Sequence, residues 1–215
     1  RYVDASAASG GNGLSWATAY TTLGPALIGL GPTDEVRVAQ GEYRPAGAGG
    51  SREATFLVPC AGGRVRGGYA GLAGVDPDTR DPALYITTLS GDLNGDDAPG
   101  FVNRSDNAYH VVTVDSGGFG PQPVIEGFTI RGARANAAVF MSSSSPTVKD
   151  CLFTDNQACF PAIHGYGASP TVTGTVFLDN IDIGCGGTAY LQGGSPTFTD
   201  CVFRGNQACG GALLL

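Results

Sequence analysis

The sequence predicts an all-β protein whose short strands stack as a parallel β-helix. Its last third repeats one pattern three times, a Ser-Pro-Thr segment followed by Phe-x-x-Asn, with prolines 24 and 26 residues apart at Pro146, Pro170 and Pro196. No helical segment separates the strand-like segments there, which excludes a doubly wound sheet. In a parallel β-helix each coil lies about 4.8 Å from the previous one, so equivalent positions form columns and the sequence repeats at every turn.

Composition limits the classes of function. Charged residues make up 14% of the chain, against roughly a quarter in an average soluble protein. The 42% of hydrophobic residues can form a core, which argues against disorder. The net charge of −7 argues against a nucleic-acid partner, which needs clustered Lys and Arg. No apolar run approaches the roughly 18 residues of a membrane span.

The chain is predicted to be one β-helix domain over residues 1–215 with three parts. These are an N-terminal cap at 1–34, irregular coils at 35–123 and regular coils of 23–26 residues at 124–215. The irregular coils carry two long insertions, at residues 44–53 and 71–83. Strands are expected in the first half at residues 1–4, 35–39, 55–58, 65–69, 86–89 and 110–114, and the segment 124–131 begins the regular pattern.

A short helix over about Thr22–Leu30 is predicted to cover the N-terminal opening. Apolar residues after Trp16 recur at helical spacings, and Pro25 is acceptable in a first turn. Gly31-Pro32 ends the segment. Terminal units of a stack are expected to be atypical because they cover its end.

Three columns are predicted to build the regular coils. The first fills the interior with stacked rings, at Ile130, Phe153, Phe177 and Phe203. The second runs beside it, at Phe128, Cys151, Thr175 and Cys201. The third is a corner ladder in which Asn tolerates a left-handed backbone and its amide bonds to the next coil, formed by Asn156, Asn180 and Asn206.

These residues resemble a known family. The three Phe-x-x-Asn units, with the segment 210–213 after the last, resemble the repeats of chlamydial polymorphic outer-membrane proteins. More broadly they are similar to bacterial right-handed parallel β-helix (pectin-lyase-like) surface proteins. The first half resembles the large secreted members of that group in residues 2–4, 15–20, 38–45, 67–71 and 89–97.

The resemblance implies a right-handed coil with an N-terminal cap, secreted and displayed on the cell surface. It implies no particular reaction, because this fold hosts lyases, hydrolases, adhesins and structural proteins.

One segment has the pattern of a calcium loop. Asp92-x-Asn94-x-Asp96-Asp97 alternates oxygen-bearing side chains around a glycine, as in the first half of an EF-hand, and Asp106 follows nearby. The twelfth position of the loop is Asn103 and not the bidentate Glu of a full EF-hand. The two interpretations are therefore a Ca²⁺ site that orders an insertion and a plain Asx-rich turn.

Three of the six cysteines share a predicted column. Cys159, Cys185 and Cys209 each precede a small residue by three positions, and neighbouring coils bring two Cα atoms within disulfide range. We expect a Cys185–Cys209 bridge; the alternatives are Cys159–Cys185 and a fully reduced column. Cys151 and Cys201 are two coils apart, roughly 10 Å, and are predicted to be inside and reduced.

The signal for an enzyme is weak. His110 and His164 are the only histidines, and a lone His on a coil face is usually structural or at the surface. Several Asp residues could supply a glycosidase pair, but equivalent positions in other coils carry Gly, which favours turns. These Asp residues are Asp150, Asp155, Asp179, Asp182 and Asp200, with Gly174 and Gly205 as the neutral counterparts.

We therefore expect a non-catalytic structural or adhesive module of a bacterial surface protein, with carbohydrate or a host or cell surface as partner. The alternative is a polysaccharide lyase or glycoside hydrolase. Residues 210–215 begin an apolar strand at an edge that would template further pairing. This predicts either a longer parent chain or end-to-end stacking of copies, and head-to-tail contacts that do not close make filaments.

Overall fold

The strands form a parallel β-solenoid of about six turns. The computed structural model describes residues 1–114, 120–184, 186–208 and 211–214. All strands named below pair with their sheet neighbours in parallel, which confirms the predicted parallel β-helix. We expect the coil to be right-handed, as nearly all parallel crossovers are.

Three long sheets and one short sheet run along the solenoid. The first sheet has seven strands, in spatial order Tyr2–Val3, Glu35–Ala39, Arg64–Tyr69, Val124–Glu126, Thr147–Lys149, Thr171–Thr173 and Thr197–Thr199. The second has six, Gly41–Tyr43, Thr87–Ser90, Thr129–Arg131, Leu152–Thr154, Val176–Leu178 and Val202–Arg204. The third has six, Phe56–Val58, His110–Val114, Ala137–Ser142, Ile163–Tyr166, Ala189–Gln192 and Leu213–Leu214. The short sheet consists of Arg134–Ala135, Gln157–Ala158 and Ile181–Asp182.

The phenylalanine column lies in the interior, as predicted. Phe153 pairs with Ile130 on one side and with Phe177 on the other, and Phe177 pairs with Phe203. The ring centroids of successive phenylalanines are 5.0 and 4.4 Å apart, with nearly parallel planes. The same register continues into the irregular coils through Leu89. Stacked aromatic rings therefore fill the centre of the solenoid from coil to coil.

The second predicted column is also confirmed. Cys151 and Thr175 are buried, and the Cys151 backbone N–H donates to Thr175 Oγ1 at 3.4 Å. Cys201, which was predicted to be inside, is only partly buried; it packs against the same core and, like Cys151, has a free thiol. Burial raises the pKa of the Cys151 thiol to about 12, so this side chain acts as a small hydrophobe.

The three asparagines form the predicted ladder. Asn156 Nδ2 donates to Asn180 Oδ1, and Asn180 Nδ2 donates to Asn206 Oδ1, each at 2.9 Å. Each amide nitrogen also reaches back to a main-chain carbonyl of the preceding coil, for example from Asn180 to Phe153 at 3.0 Å. Because Asn156 and Asn180 are fully buried, these hydrogen bonds satisfy groups that water cannot reach.

One detail of the predicted corner is wrong. The residues with left-handed backbone directly precede the asparagines, which do not themselves adopt it: Asp155 has φ 54°, Asp179 φ 51° and Gly205 φ 67°. A second set of left-handed corners contains Asp150 and Gly174. Asp and Gly tolerate this backbone, which leaves each Asn side chain free to point inward and bond along the axis.

The N-terminal end of the stack is covered, as predicted, by a helix that is shorter than expected. Helix Gly24–Leu27 carries Pro25 in its first turn, and a 3₁₀ turn spans Trp16–Thr18. Apolar residues around the helix are buried in the same core as the sheets, namely Leu23, Ala26, Leu27 and Leu30. The helix stops early because Ile28 is extended and Gly29 has φ 64°.

The insertion 71–83 is fastened across the first sheet by charged side chains. It begins with the 3₁₀ turn Gly71–Ala73. Arg80 Nη1 lies 3.1 Å from the buried Glu126 Oε1, and Asp78 Oδ1 accepts from Trp16 Nε1 at 3.0 Å. The insertion thus ties the cap to the regular coils.

The ladder predicts the effect of Asn180→Ala. The substitution leaves the Asn156 amide without its acceptor and the Phe153 carbonyl without its side-chain donor, both in a buried place. We expect the free energy of unfolding to fall by about 2–4 kcal/mol, measured by urea denaturation.

Gln192→Ala is the matched control, because Gln192 is an exposed amide side chain on the third sheet. Its effect should stay within about 0.5 kcal/mol. Equal losses in the two variants would contradict a stabilising role of the ladder.

Candidate functional site

Three of the five predicted metal-ligating residues come together. One carboxylate oxygen from each of Asp92, Asp96 and Asp106 lies within 4.8 Å of the other two. Asp92 is 3% exposed, and its Oδ1 accepts from the backbone N–H groups of Gly95 at 2.7 Å and Asp96 at 3.1 Å. Asp106 Oδ2 accepts from the backbone N–H of Asn94 at 2.9 Å. The main chain of the loop therefore holds the carboxylates of Asp92 and Asp106 in place.

The other two predicted ligands lie elsewhere in the same loop. The Asn94 side-chain oxygen accepts from the backbone N–H of Gly49 at 3.0 Å, which links the loop to the insertion 44–53. Asp97 Oδ2 accepts from Asn107 Nδ2 at 2.9 Å and lies 3.6 Å from Arg104 Nη1. Burial raises the pKa of Asp97, although Asn107 and Arg104 oppose this shift.

The predicted disulfides fall partly outside the described residues. Cys185 and Cys209, the expected pair, lie outside them. Cys159, in the alternative pair, has a free thiol, and the residues that the structure describes contain no disulfide. The Cys185–Cys209 bridge stays a prediction.

His164 lies under aromatic rings on the outer side of the third sheet. It is 7% exposed, and its ring centroid lies 4.1 Å from that of Phe160 and 4.7 Å from that of Tyr166. Phe160 in turn stacks on Tyr190 at 4.8 Å. His164 Nε2 is buried without a hydrogen-bond partner. Burial lowers the pKa of His164 to about 4, with a smaller contribution from His110, so its ring is neutral at physiological pH.

The aspartates of the regular coils lie at left-handed corners or accept a hydrogen bond from the backbone. Asp150, Asp155, Asp179 and Asp200 have φ between 49° and 54°, and Gly occupies the corresponding corner in other coils. Asp182 is buried, and its Oδ1 accepts from the backbone N–H of Gly184 at 2.7 Å. Turn geometry therefore accounts for the four corner aspartates, as the sequence interpretation favoured, whereas Asp182 lies in a strand and its Oδ2 is buried without a hydrogen-bond partner among the described residues.

The structure contains a cleft that no pattern in the sequence predicted. A cavity of about 490 Å³ lies between the cap, the insertion 44–53 and the acidic loop, within the size range of small-molecule sites. Glu42 is a charged group on its wall, and both its oxygens are held by arginines: Arg44 Nη2 at 2.5 Å and Arg131 Nη2 at 2.8 Å. Other polar groups of the lining are Thr21, Thr22 and Asn94. Insertion loops form this cleft, and a repeat pattern does not predict how such loops meet.

Comparison with protein-family models, curated proteins and solved structures finds no match for this chain. Among the residues that the structure describes, no helix has the length and apolar character needed to cross a membrane.

The buried His164 predicts how stability depends on pH. Above about pH 6.5 the ring is neutral in both the folded and the unfolded chain. Between about pH 6.5 and 4 the unfolded chain takes up a proton that the folded chain does not, so stability falls as pH falls. The expected loss from this residue is about 2–3 kcal/mol, measured by urea denaturation between pH 7 and pH 4.

His164→Phe should remove this part of the pH dependence, because its ring does not titrate. Tyr166→Phe, a change in the neighbouring ring, should keep it. A His164→Phe variant that loses stability on acidification as steeply as the Tyr166→Phe variant would contradict the account.

Proposed function

We propose that this chain is a non-catalytic, extracellular structural or adhesive β-helix module of a bacterial surface protein. The observation that carries this proposal is the use of the repeated polar residues inside the fold. Asn156, Asn180 and Asn206 bond to one another and to main-chain carbonyls, and the recurrent aspartates hold corners. The repeat thus supplies structure, and it leaves no column of free acid and base groups among the described residues of the regular coils.

The outer face of the second sheet supports a role in contact. Leu152, Val176 and Val202 pair in register and point away from the core, and Val202 is 50% exposed. A flat parallel sheet with an outward apolar column offers a regular surface to a partner. Carbohydrate or a host or cell surface is the proposed partner, and the secreted location follows the resemblance to pectin-lyase-like surface proteins.

The two ends of the solenoid differ, which bears on assembly. At the N-terminal end, the outer edge of Tyr2–Val3 already bonds to Gly13 and Tyr20 through the main chain. At the other end Phe203 and Leu213 are only partly buried. A sheet edge without a neighbour recruits further strands. We propose that a second copy of the chain stacks on this end, so that copies assemble end to end into a filament.

Size-exclusion chromatography with negative-stain microscopy tests the assembly. Filaments or a concentration-dependent dimer support stacking of copies, and a dispersed monomer at all concentrations rejects it.

The cleft beside the cap favours one alternative function. Its volume would admit a sugar ring, and Glu42 could act as an acid or base in a polysaccharide lyase or glycoside hydrolase. Such chemistry needs a second catalytic group. The nearby Asp92 is engaged with backbone N–H groups, and Glu42 itself is engaged with Arg44 and Arg131. The contacts thus favour a structural role for Glu42.

Turnover assays decide between the two functions. The purified chain is incubated with pectate, alginate and glycosaminoglycans, and the release of unsaturated or reducing sugar is measured. We expect no release above the rate without protein. Release that falls by about 100-fold or more in Glu42→Gln would establish the enzyme and overturn the proposal.

A further inference from the structure

The carboxylates of the loop 92–106 converge at one point. We propose that Asp92, Asp96 and Asp106 bind a divalent cation, with Ca²⁺ preferred over Mg²⁺. This site is independent of the proposed adhesive or structural function, since it lies in an insertion and not on the regular coils.

The number of carboxylates favours one ion. Ca²⁺ takes six to eight oxygen ligands in a flexible geometry and accepts several carboxylates, whereas Mg²⁺ demands near-ideal octahedral geometry, keeps several waters and is usually held by one or two carboxylates. One oxygen from each of three aspartates lies within 4.8 Å of the other two, and a loop with three carboxylates at one point therefore suits Ca²⁺ better than Mg²⁺.

A buried carboxylate beside the cluster supports a ligand there. The Asp97 side chain is 3% exposed, and its Oδ1 has no hydrogen-bond partner among the described residues. The Asp97 backbone N–H donates to Asp92 Oδ2 at 3.2 Å, and Asn107 Nδ2 donates to Asp97 Oδ2. The backbone of Asp97 thus contacts Asp92, and its side chain contacts Asn107, the residue after Asp106. A buried oxygen without a donor is costly, and a nearby cation would compensate for it.

The local charge also favours a cation. Four carboxylates belong to this loop, those of Asp92, Asp96, Asp97 and Asp106, and Arg104 is the basic partner of one of them, Asp97. The Arg44 guanidinium, which bonds to the Asp92 carbonyl, is shared with Glu42, and so is Arg131, whose charge also acts on Asp92 and Asp97. Negative charge therefore exceeds positive charge around the three oxygens, and a divalent ion reduces their mutual repulsion.

The hydrogen bonds show which segments a bound cation would hold together. Asp92 directly follows the second-sheet strand Thr87–Ser90 and Gly91, whereas Asp96 and Asp106 belong to the protruding loop. An ion bound to all three aspartates would hold the loop 92–106 against the coil that contains the strand Thr87–Ser90. Through the bond from Gly49 to Asn94 it would also steady the insertion 44–53.

Calorimetric titration of CaCl₂ into the chelator-treated, dialysed full chain tests the proposal. We expect one site per chain with a Kd of about 10⁻⁴–10⁻³ M, the range of extracellular Ca²⁺ modules. At a ten-fold excess over Kd, the Tm should rise by about 3–6 °C. MgCl₂ should bind at least about ten-fold more weakly than CaCl₂.

Asp96→Asn removes one ligand charge from an exposed position and should weaken Ca²⁺ binding by about ten-fold or more. Asp200→Asn is the matched control, because Asp200 is an exposed aspartate at a left-handed corner that Asn also tolerates. The absence of heat and of any Tm shift in the unsubstituted chain at about 10 mM CaCl₂ overturns the proposal. Equal affinity in the two variants overturns it as well, whereas weaker binding in Asp96→Asn alone supports it.

Discussion

The amide hydrogen bonds between Asn156, Asn180 and Asn206 set the register of the coils. A parallel sheet by itself permits a slip along the strand, and a slip of one residue turns every inward side chain outward. Asn156 and Asn180, which are buried, each donate to the side-chain oxygen of the Asn one coil further along, so a slip would break these bonds. Once this corner is fixed, Phe153 meets Phe177 and Phe177 meets Phe203 in the interior.

The regular coils and the irregular coils use different means of stabilisation. In the regular part, identical side chains stack and their geometry repeats. In the first half, insertions are held by individual contacts, such as Arg80 with Glu126 and Asp78 with Trp16. The insertions also form the two regions whose residues have the chemistry to bind a ligand, the cleft and the acidic loop. Metal or small-molecule binding by this chain is therefore expected in the insertions, whereas the repeat supplies length and the outward sheet surface that we propose contacts a partner.

The phenylalanine and asparagine columns could be predicted from the sequence. In a stack of coils, residues at equivalent positions of successive coils are neighbours in space, so a sequence repeat shows which residues are in contact. The spacing of Phe153, Phe177 and Phe203 was enough to place them in one interior column, and the amide bonds of the asparagines followed. The left-handed residue was assigned one position too late, to Asn156 and not to Asp155. Both residue types tolerate that backbone, so propensity alone could not separate them. Similarly, the segment 124–131, with which the regular pattern was expected to begin, contains two strands, because Gly127 turns a corner with φ 76°.

Contacts between insertions were not predictable in this way. The sequence predicted Asp92, Asp96 and Asp106 as oxygen ligands together with Asn94 and Asp97, but it could not show that Asn94 bonds to Gly49 or that Asp97 lies against Arg104. Those contacts join segments that no repeat relates. The cleft was missed for the same reason, since its walls come from three separate loops. The burial of His164 depends on Phe160, which lies in a corner loop outside the strand register.

Amide hydrogen exchange in the chain and in Asn206→Ala tests most directly whether the ladder fixes the register. The backbone N–H of Asn180 donates to Asn206 Oδ1 at 3.0 Å, and that of Asn156 donates to Asn180 Oδ1 at 3.3 Å. Both amides should exchange slowly in the unsubstituted chain. In Asn206→Ala the Asn180 amide should exchange roughly ten-fold faster or more, while the Asn156 amide changes little. Fast exchange of both amides in the unsubstituted chain, or an Asn180 amide indifferent to the substitution, would contradict the account.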